Sequence, residues 1–318
     1  RSYSVTGVQT CALPISFLTP CGNNLFFIAS DGTNGVELWV TNGTEDGTIM
    51  VKNINPTGDS NPSQFLSNGT HIFFNANDGT NGYELWLSNG TESGTIMVKD
   101  IEPGDSSAPN SLAFLNGILI FAAWNASAGM ELWRSDGTEA GTYAVKDIFP
   151  ESDFDSSPQN FIQYYDILLF SAFSYEGREL WKTDGTTEGT VLIKDICIGD
   201  SSAPSEFFLF NDIVYFSAYD REFGSNSGRE LWRTNGTSIG TYMIKDINPG
   251  LSYSNPSNFV VLGSEIVFTA DDGTHGTELW KTDGTLSGTE IVCDINTDGS
   301  ANIANLLNIG TIDRKSVV

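Results

Sequence analysis

Short apolar runs separated by turn-forming residues fill the chain from end to end. In the stretch from Pro109 to Pro158, runs at 110–115 and 118–123 flank Asn116-Gly117, and further runs cover 130–135 and 142–148. Asn and Gly tolerate the positive φ that a tight hairpin turn requires. The runs alternate or stay apolar for five or six residues, without the 3.6-residue period of a helix. The pattern predicts a meander of four antiparallel strands.

This unit recurs six times, and each copy carries the tripeptide Glu-Leu-Trp. The steps between copies are 47 to 51 residues, and the tryptophans are Trp39, Trp86, Trp133, Trp181, Trp232 and Trp280. A fixed period of this length indicates one supersecondary unit stacked repeatedly. Longer, proline-bearing segments join the copies, which is typical of a link from the outermost strand of one sheet to the innermost strand of the next. We predict an all-β fold, a β-propeller of about six four-stranded antiparallel blades, either complete or part of a larger propeller.

The two ends differ from the repeats. Residues 1–15 and 313–318 resemble translated sequencing-adapter sequence, so we expect residues 16–312 to form a single propeller domain. The segment Pro14-Ile15-Ser16-Phe17-Leu18 nevertheless mimics Pro62-Ser63-Gln64-Phe65-Leu66. Either this first segment supplies the innermost strand of the first blade and residues 302–307 begin a seventh, or an extra innermost strand at 302–307 closes the ring against the first blade.

The amino-acid composition makes several classes of function unlikely. The formal net charge is −25, and it becomes −27 without the positive charge of Arg1 and the net positive charge of 313–315. An acidic surface repels phosphate backbones and anionic lipids, so we expect no nucleic-acid partner. No apolar stretch approaches 18 residues, which predicts no membrane span. The two histidines, His71 and His275, lie in different repeats, which argues against a histidine-dependent triad or zinc site.

The repeat resembles a known family. The run Glu131-Leu132-Trp133-Arg134-Ser135-Asp136-Gly137-Thr138 is similar to the motif of the ELWxxDGT-repeat proteins, and the resemblance covers all six copies. It implies a propeller-like repeat domain of exported or surface proteins of bacteria, with no reaction generally attached. Asn replaces the Asp at positions 42, 89 and 235, and Cys293 stands where the other copies have a lysine.

The motif residues are predicted to be structural. Each tryptophan follows a leucine in the middle of a strand, where neighbouring sheets pack. Because a lysine follows each of the first five glutamates by 15 residues, we predict cross-strand ion pairs. The predicted pairs are Glu37 with Lys52, Glu84 with Lys99, Glu131 with Lys146, Glu179 with Lys194 and Glu230 with Lys245, and the sixth glutamate is Glu278.

A row of aspartates supplies the candidate metal ligands. Asp59, Asp105, Asp155 and Asp200 precede the prolines that start innermost strands, so they could converge at one mouth of a propeller. Carboxylates with neighbouring serine hydroxyls suit calcium, which is the candidate cofactor. The alternative is that these aspartates cap turns.

No residue set is assigned a catalytic role. We interpret the chain as a non-enzymatic binding or scaffolding domain, extracellular or on the cell surface, with a glycan or another surface protein as partner. The alternative is a carbohydrate-active domain, sialidase-like or lectin-like. The fifth copy alone breaks the repeat, by an insertion at 219–228 that holds Asp220, Arg221 and Glu222.

Overall fold

A computed structural model describes residues 16–150, 154–222, 225–304 and 306–307. Within these ranges the chain forms 24 β-strands and no helix, and the strands build six sheets of four. In every sheet the strands lie in chain order, each antiparallel to the next. The predicted fold class, a β-propeller of four-stranded antiparallel blades, is confirmed. In the described part of the chain no helix is present that could cross a membrane.

The chain divides into two compact units, and the first runs to Ser157. It contains sheets 1 to 3, each built from one sequence repeat. Their strands are β1 (Ser16–Cys21), β2 (Asn24–Ser30), β3 (Val36–Thr41) and β4 (Ile49–Lys52); β5 (Ser63–Ser67), β6 (Ile72–Asn77), β7 (Tyr83–Ser88) and β8 (Ile96–Lys99); and β9 (Asn110–Leu115), β10 (Ile118–Asn125), β11 (Gly129–Ser135) and β12 (Tyr143–Lys146).

The second unit begins at Pro158 and contains sheets 4 to 6. Their strands are β13 (Gln159–Tyr164), β14 (Ile167–Ser174), β15 (Gly177–Thr183) and β16 (Val191–Lys194); β17 (Ser205–Phe210), β18 (Ile213–Glu222), β19 (Ser225–Thr234) and β20 (Tyr242–Lys245); and β21 (Ser257–Leu262), β22 (Glu265–Asp271), β23 (Thr277–Thr282) and β24 (Glu290–Cys293).

Every innermost strand starts with the same irregularity. Its second residue has a positive φ, and its pairing with the second strand is interrupted by a register shift at that point. The extra residue forms a β-bulge, which bends the strand and redirects a side chain. The residues with φ between 54° and 59° are Phe17, Gln64, Ser111, Asn160, Glu206 and Asn258.

The innermost strand of sheet 1 comes from the N-terminal segment. Ser16–Cys21 pairs with β2, with Thr19 opposite Phe26 and Cys21 opposite Asn24. The first of the two alternatives for this blade is therefore confirmed for Ser16 onward, while Pro14 and Ile15 lie outside the described residues. The extra strand predicted at 302–307 is not found among the described residues of that segment. An innermost strand pairs with the strand that follows it, and the described chain has no strand after β24.

The core of each sheet is built around the third strand and its neighbour. In sheets 2 to 6 the tryptophan of the motif is at least 93% buried and lies opposite a phenylalanine with no exposed surface. These phenylalanines are Phe74, Phe121, Phe170, Phe216 and Phe268. Trp39 is only half-buried and donates its indole N–H to the carbonyl of Ala29 at 3.0 Å. Apolar burial on this scale is the main favourable contribution to folding.

A buried glutamate connects each sheet to the segment that leads to the next innermost strand. In sheet 2, Oε2 of Glu84 accepts hydrogen bonds from the backbone N–H of Ile101 at 3.0 Å and from the hydroxyl of Ser107 at 2.6 Å. Oε1 accepts the backbone N–H of Ser107 at 2.9 Å. The motif glutamates are 0–1% exposed. We call this arrangement the glutamate clasp; it recurs at Glu37, Glu131, Glu179 and Glu230.

The predicted glutamate–lysine pairs are wrong. Lys99 lies opposite Leu85, one residue beyond Glu84, and the register shifts immediately after that pair. The same holds in the other four copies. Because neighbouring residues of a strand point to opposite faces, a shift of one residue separates the two charges.

Four of these lysines contact the following sheet of their own unit instead: Lys52, Lys99, Lys194 and Lys245. Nζ of Lys52 donates to the carbonyl of Thr95 at 2.8 Å and lies 5.8 Å from the ring of Trp86. Lys245 repeats both contacts with Thr289, at 2.6 Å, and with Trp280, at 5.6 Å. A cation over an indole face is attracted by the ring quadrupole. Each such lysine therefore links two neighbouring sheets within its unit.

The sixth copy provides an internal test of the clasp. Ala301 replaces the serine, and Oε1 of Glu278 has no hydrogen-bond partner in the described part of the chain. We expect Ser107→Ala to lower the free energy of unfolding by about 1–3 kcal/mol, because it removes a donor from a buried carboxylate. Ala301→Ser should raise it. Urea unfolding of both variants is the measurement, and equal effects of the same sign would contradict the assigned role.

The clasp glutamates also have unusual pKa values. Burial raises the pKa of Glu131, Glu179 and Glu230 to about 7, although the hydrogen bonds from the serine and the isoleucine N–H oppose the shift. Burial raises the pKa of Glu37 and Glu84 as well. The neutral form keeps its partners, since the carboxyl can donate to the serine oxygen while that hydroxyl donates to the nearby carbonyl.

Stability should therefore depend on pH. A carboxyl with a raised pKa binds its proton more tightly in the folded state, so its contribution is complete below pH 4.5 and is lost as the pH rises through about 7. We expect the free energy of unfolding to fall between pH 5 and pH 8. Carboxyl NMR titration supplies the control, because hydrogen bonds from Thr138 lower the pKa of Asp136. A flat stability profile, or clasp glutamates titrating in their usual range, would contradict the assignment.

Candidate functional site

A cavity of about 200 Å³ opens in the second unit, where the innermost strands of sheets 5 and 6 begin. Its walls carry three serine hydroxyls, one guanidinium, one carboxylate and one amide. The lining residues are Ser205, Glu206, Ser217, Arg229, Asn255, Pro256 and Ser257. We call this cavity the Arg229 pocket.

Arg229 is held in place by backbone oxygens. It occupies β19 directly before the clasp residue Glu230, so its side chain points to the opposite face of the sheet. Nη2 donates to the carbonyl of Ala203 at 2.6 Å and to Oγ of Ser205 at 3.1 Å. The guanidinium also stacks 4.5 Å from the ring centre of Tyr219. Burial lowers the pKa of Arg229, but no ion pair with a carboxylate forms among the described residues.

Glu206 provides the second charge of the pocket. It is the bulged residue of β17, with φ 59°, and its side chain is exposed. Its carboxylate makes no hydrogen bond or ion pair with the part of the chain that the structure describes. A cation and an anion therefore line the same cavity, and neither has a charged partner there.

The equivalent position in sheet 4 carries a different bulged residue. Asn160 is the bulged residue of β13, and its amide donates to the carbonyl of Pro204 at 3.3 Å and to Oγ of Ser171 at 3.4 Å. The amide thus bridges to the residue that precedes the next innermost strand. An ionised carboxylate only accepts hydrogen bonds, so Glu206 cannot form this bridge to the carbonyl of Pro256.

Sheet 4 also carries an arginine at the matching place. Nη1 of Arg178 lies 3.4 Å from both the carbonyl and the hydroxyl oxygen of Ser171, and its guanidinium stacks 4.1 Å from the ring centre of Phe173. Burial lowers the pKa of Arg178 to about 10. Sheet 4 therefore has the arginine without a carboxylate beside it, since its bulged residue is Asn160.

The aspartates proposed as metal ligands contact backbone N–H groups. Oδ1 of Asp59 accepts from Val36 at 2.8 Å, and Oδ1 of Asp155 accepts from Met130 at 2.7 Å. Asp105 and Asp200 accept from the serine that follows each of them. Within the described ranges, no three or more Asp, Glu, His or Cys side chains are grouped so that they could hold a metal ion. The calcium site stays a prediction.

The aspartate of the repeat motif is occupied in its own turn. Oδ1 of Asp136 accepts from both the backbone N–H and the hydroxyl of Thr138, at 2.9 and 2.7 Å. Asn42, Asn89 and Asn235 make the same contacts, which explains why Asn replaces Asp there. Hydrogen bonding of this kind is what Asx residues contribute to turns.

The insertion of the fifth copy extends one hairpin. β18 and β19 are ten residues each, and their pairing continues to Glu222 opposite Ser225. Residues 223–224 lie outside the described ranges. The insertion therefore adds to the sheet that bears Arg229.

Sequence reasoning did not identify the Arg229 pocket. The signal available was the residue before each motif glutamate, which is arginine in the fourth and fifth copies only. Across the six copies it is Val36, Tyr83, Met130, Arg178, Arg229 and Thr277.

Comparison with known proteins bears on the fold. No family model matches the sequence, and no curated protein sequence matches it either. Among solved structures, oligopeptidase B from Leishmania major is similar with a TM-score of 0.53 at 10% identity, over 87% of this chain and 41% of that one. A puromycin hydrolase S511A mutant complexed with PGG gives a TM-score of 0.50 at 12% identity, over 84% of this chain and 43% of that one. This chain spans less than half the length of either, and these likenesses show the fold alone.

Substitutions of Asp155 can distinguish a role in capping the start of β11 from a role in binding a metal ion. Asparagine keeps the oxygen that accepts the N–H of Met130, so we expect Asp155→Asn to leave the thermal midpoint almost unchanged. Asp155→Ala should cost about 1 kcal/mol, because the N–H of Met130 at the start of β11 loses its acceptor. Melts with calcium and with a chelator complete the measurement. A calcium-dependent midpoint that Asp155→Asn abolishes would support the metal site instead.

Proposed function

We propose that the chain is a non-enzymatic binding or scaffolding module that acts outside the cell or at its surface. The observation that carries this proposal is that the polar groups of the repeated motif are consumed inside the fold. The clasp glutamates bond the connecting segments, and the motif Asp and Asn residues bond their own turns. A motif used this way builds a rigid support and leaves variable positions for recognition.

The acidic surface is consistent with such a role. A net charge of −25 on 318 residues keeps a protein soluble and disfavours contact with other anionic surfaces. The resemblance of the repeat to exported and surface proteins supports the location. The partners we propose are a glycan or another surface protein.

A carbohydrate-active domain is the alternative, and the Arg229 pocket is the observation that favours it. Serine hydroxyls, an amide and a guanidinium could bond sugar hydroxyls. Hydrolysis of a glycoside, however, generally uses two carboxyl groups about 5–9.5 Å apart. The pocket lining contains one, Glu206, and no histidine. The pocket therefore fits binding better than hydrolysis.

A binding module and a carbohydrate-active enzyme can be distinguished by whether a substrate is converted to product. We expect residues 16–312 to release no product from fluorogenic glycosides and peptides, and to bind ligands on a glycan array or a panel of surface proteins. Array binding is measured with calcium and with a chelator. Hydrolysis that Glu206→Gln abolishes while the thermal midpoint is unchanged would overturn the non-enzymatic assignment.

A further inference from the structure

Two opposite charges face the Arg229 pocket without an ion pair between them. Both belong to the second unit, and they interact at a distance, since the charge of Glu206 favours the protonated form of Arg229. Arg229 is partly buried whereas Glu206 is exposed, so the two charges lie in different surroundings. Their separation has a structural cause.

Each side chain is constrained independently. The guanidinium of Arg229 is fixed by Ala203, Ser205 and the ring of Tyr219. Its remaining contact is long, with Nη1 3.5 Å from the carbonyl of Ser217, so this N–H is available to a better acceptor. Glu206 starts from a left-handed backbone position at a bulge, which sets the direction of its side chain.

The pocket is small, with a volume of about 200 Å³, and six of its seven lining residues have polar or charged side chains. The lining offers no aromatic face on which a sugar ring could stack. A simple anion would satisfy only Arg229, and a simple cation only Glu206. A molecule that carries both charges close together satisfies both.

We propose that the Arg229 pocket binds a small zwitterion of the α-amino-acid type. Its carboxylate accepts from Nη1 of Arg229, and its ammonium group donates to Glu206 and to the carbonyl of Pro256. Serine hydroxyls at 205, 217 and 257 supply the remaining hydrogen bonds. Charge-assisted hydrogen bonds at both ends make this class of ligand selective against either ion alone. This inference goes beyond the surface role, because it does not depend on where the protein acts.

The test is calorimetric titration of the full chain with the standard amino acids, with acetate and methylammonium as single-charge probes. We expect at least one amino acid with a small side chain to bind, and each probe to bind about tenfold more weakly or worse. Glu206→Gln and Arg229→Lys should each weaken the amino acid about tenfold or more. Glu206→Asn recreates the residue found at 160 and should close the pocket, abolishing binding without lowering the thermal midpoint.

Controls make the result decisive. Glu188→Gln changes an exposed glutamate of the same unit that lies in a turn, and it should bind as the parent does. Circular dichroism melts exclude unfolding as the reason for lost binding. The proposal is overturned if no amino acid binds, if acetate binds as well as the amino acid, or if Glu206→Gln binds like the parent. Loss of all glycan or protein binding in the earlier array would leave this result unaffected.

Discussion

A buried carboxyl group bonds the connecting segment of five of the six sheets, and the position of that segment depends on it. The connecting segment leaves the outermost strand and must present N–H groups where no sheet can accept them. Buried donors without acceptors are costly. Glu84 accepts two backbone N–H groups and one hydroxyl from one segment, so a single side chain satisfies the donors that the chain reversal creates. The cost is a buried charge, which appears in the raised pKa of these residues.

The repeat, the hairpins and the strand count could be predicted from the sequence because they depend on local chemistry. Asn116 and Gly117 both adopt positive φ, as their types suggest. The partner of the motif glutamate could not be predicted the same way. The 15-residue spacing is compatible with two registers, and the shift between Leu85 and Trp86 selects the one that separates Glu84 from Lys99. A β-bulge leaves no signature in the spacing, and in the observed register Nζ of Lys99 donates to the carbonyl of Thr142 in the next sheet.

The candidate pocket was even harder to predict from the sequence, because it depends on contacts between repeats. Arg229 stands out in the sequence only as a difference from its counterparts in the other copies. The difference between Asn160 and Glu206 gains meaning once both are known to be bulged residues next to a proline carbonyl. Asn160 donates to that carbonyl, whereas a carboxylate at position 206 can only accept. This consequence belongs to the geometry of two neighbouring sheets, which no single repeat encodes.

Adjacent positions on one strand thus have different constraints. Glu230 faces the clasp, where a change leaves buried donors unsatisfied. Arg229 faces the strand starts, and the six copies carry five different residue types at its position. Because neighbouring side chains of a strand point to opposite faces, the residue at position 229 can vary without disturbing the glutamate at position 230. A repeat fold built in this way can carry a pocket at one position while the neighbouring clasp is kept. The location of the Arg229 pocket, one residue away from an invariant structural glutamate, follows from this separation.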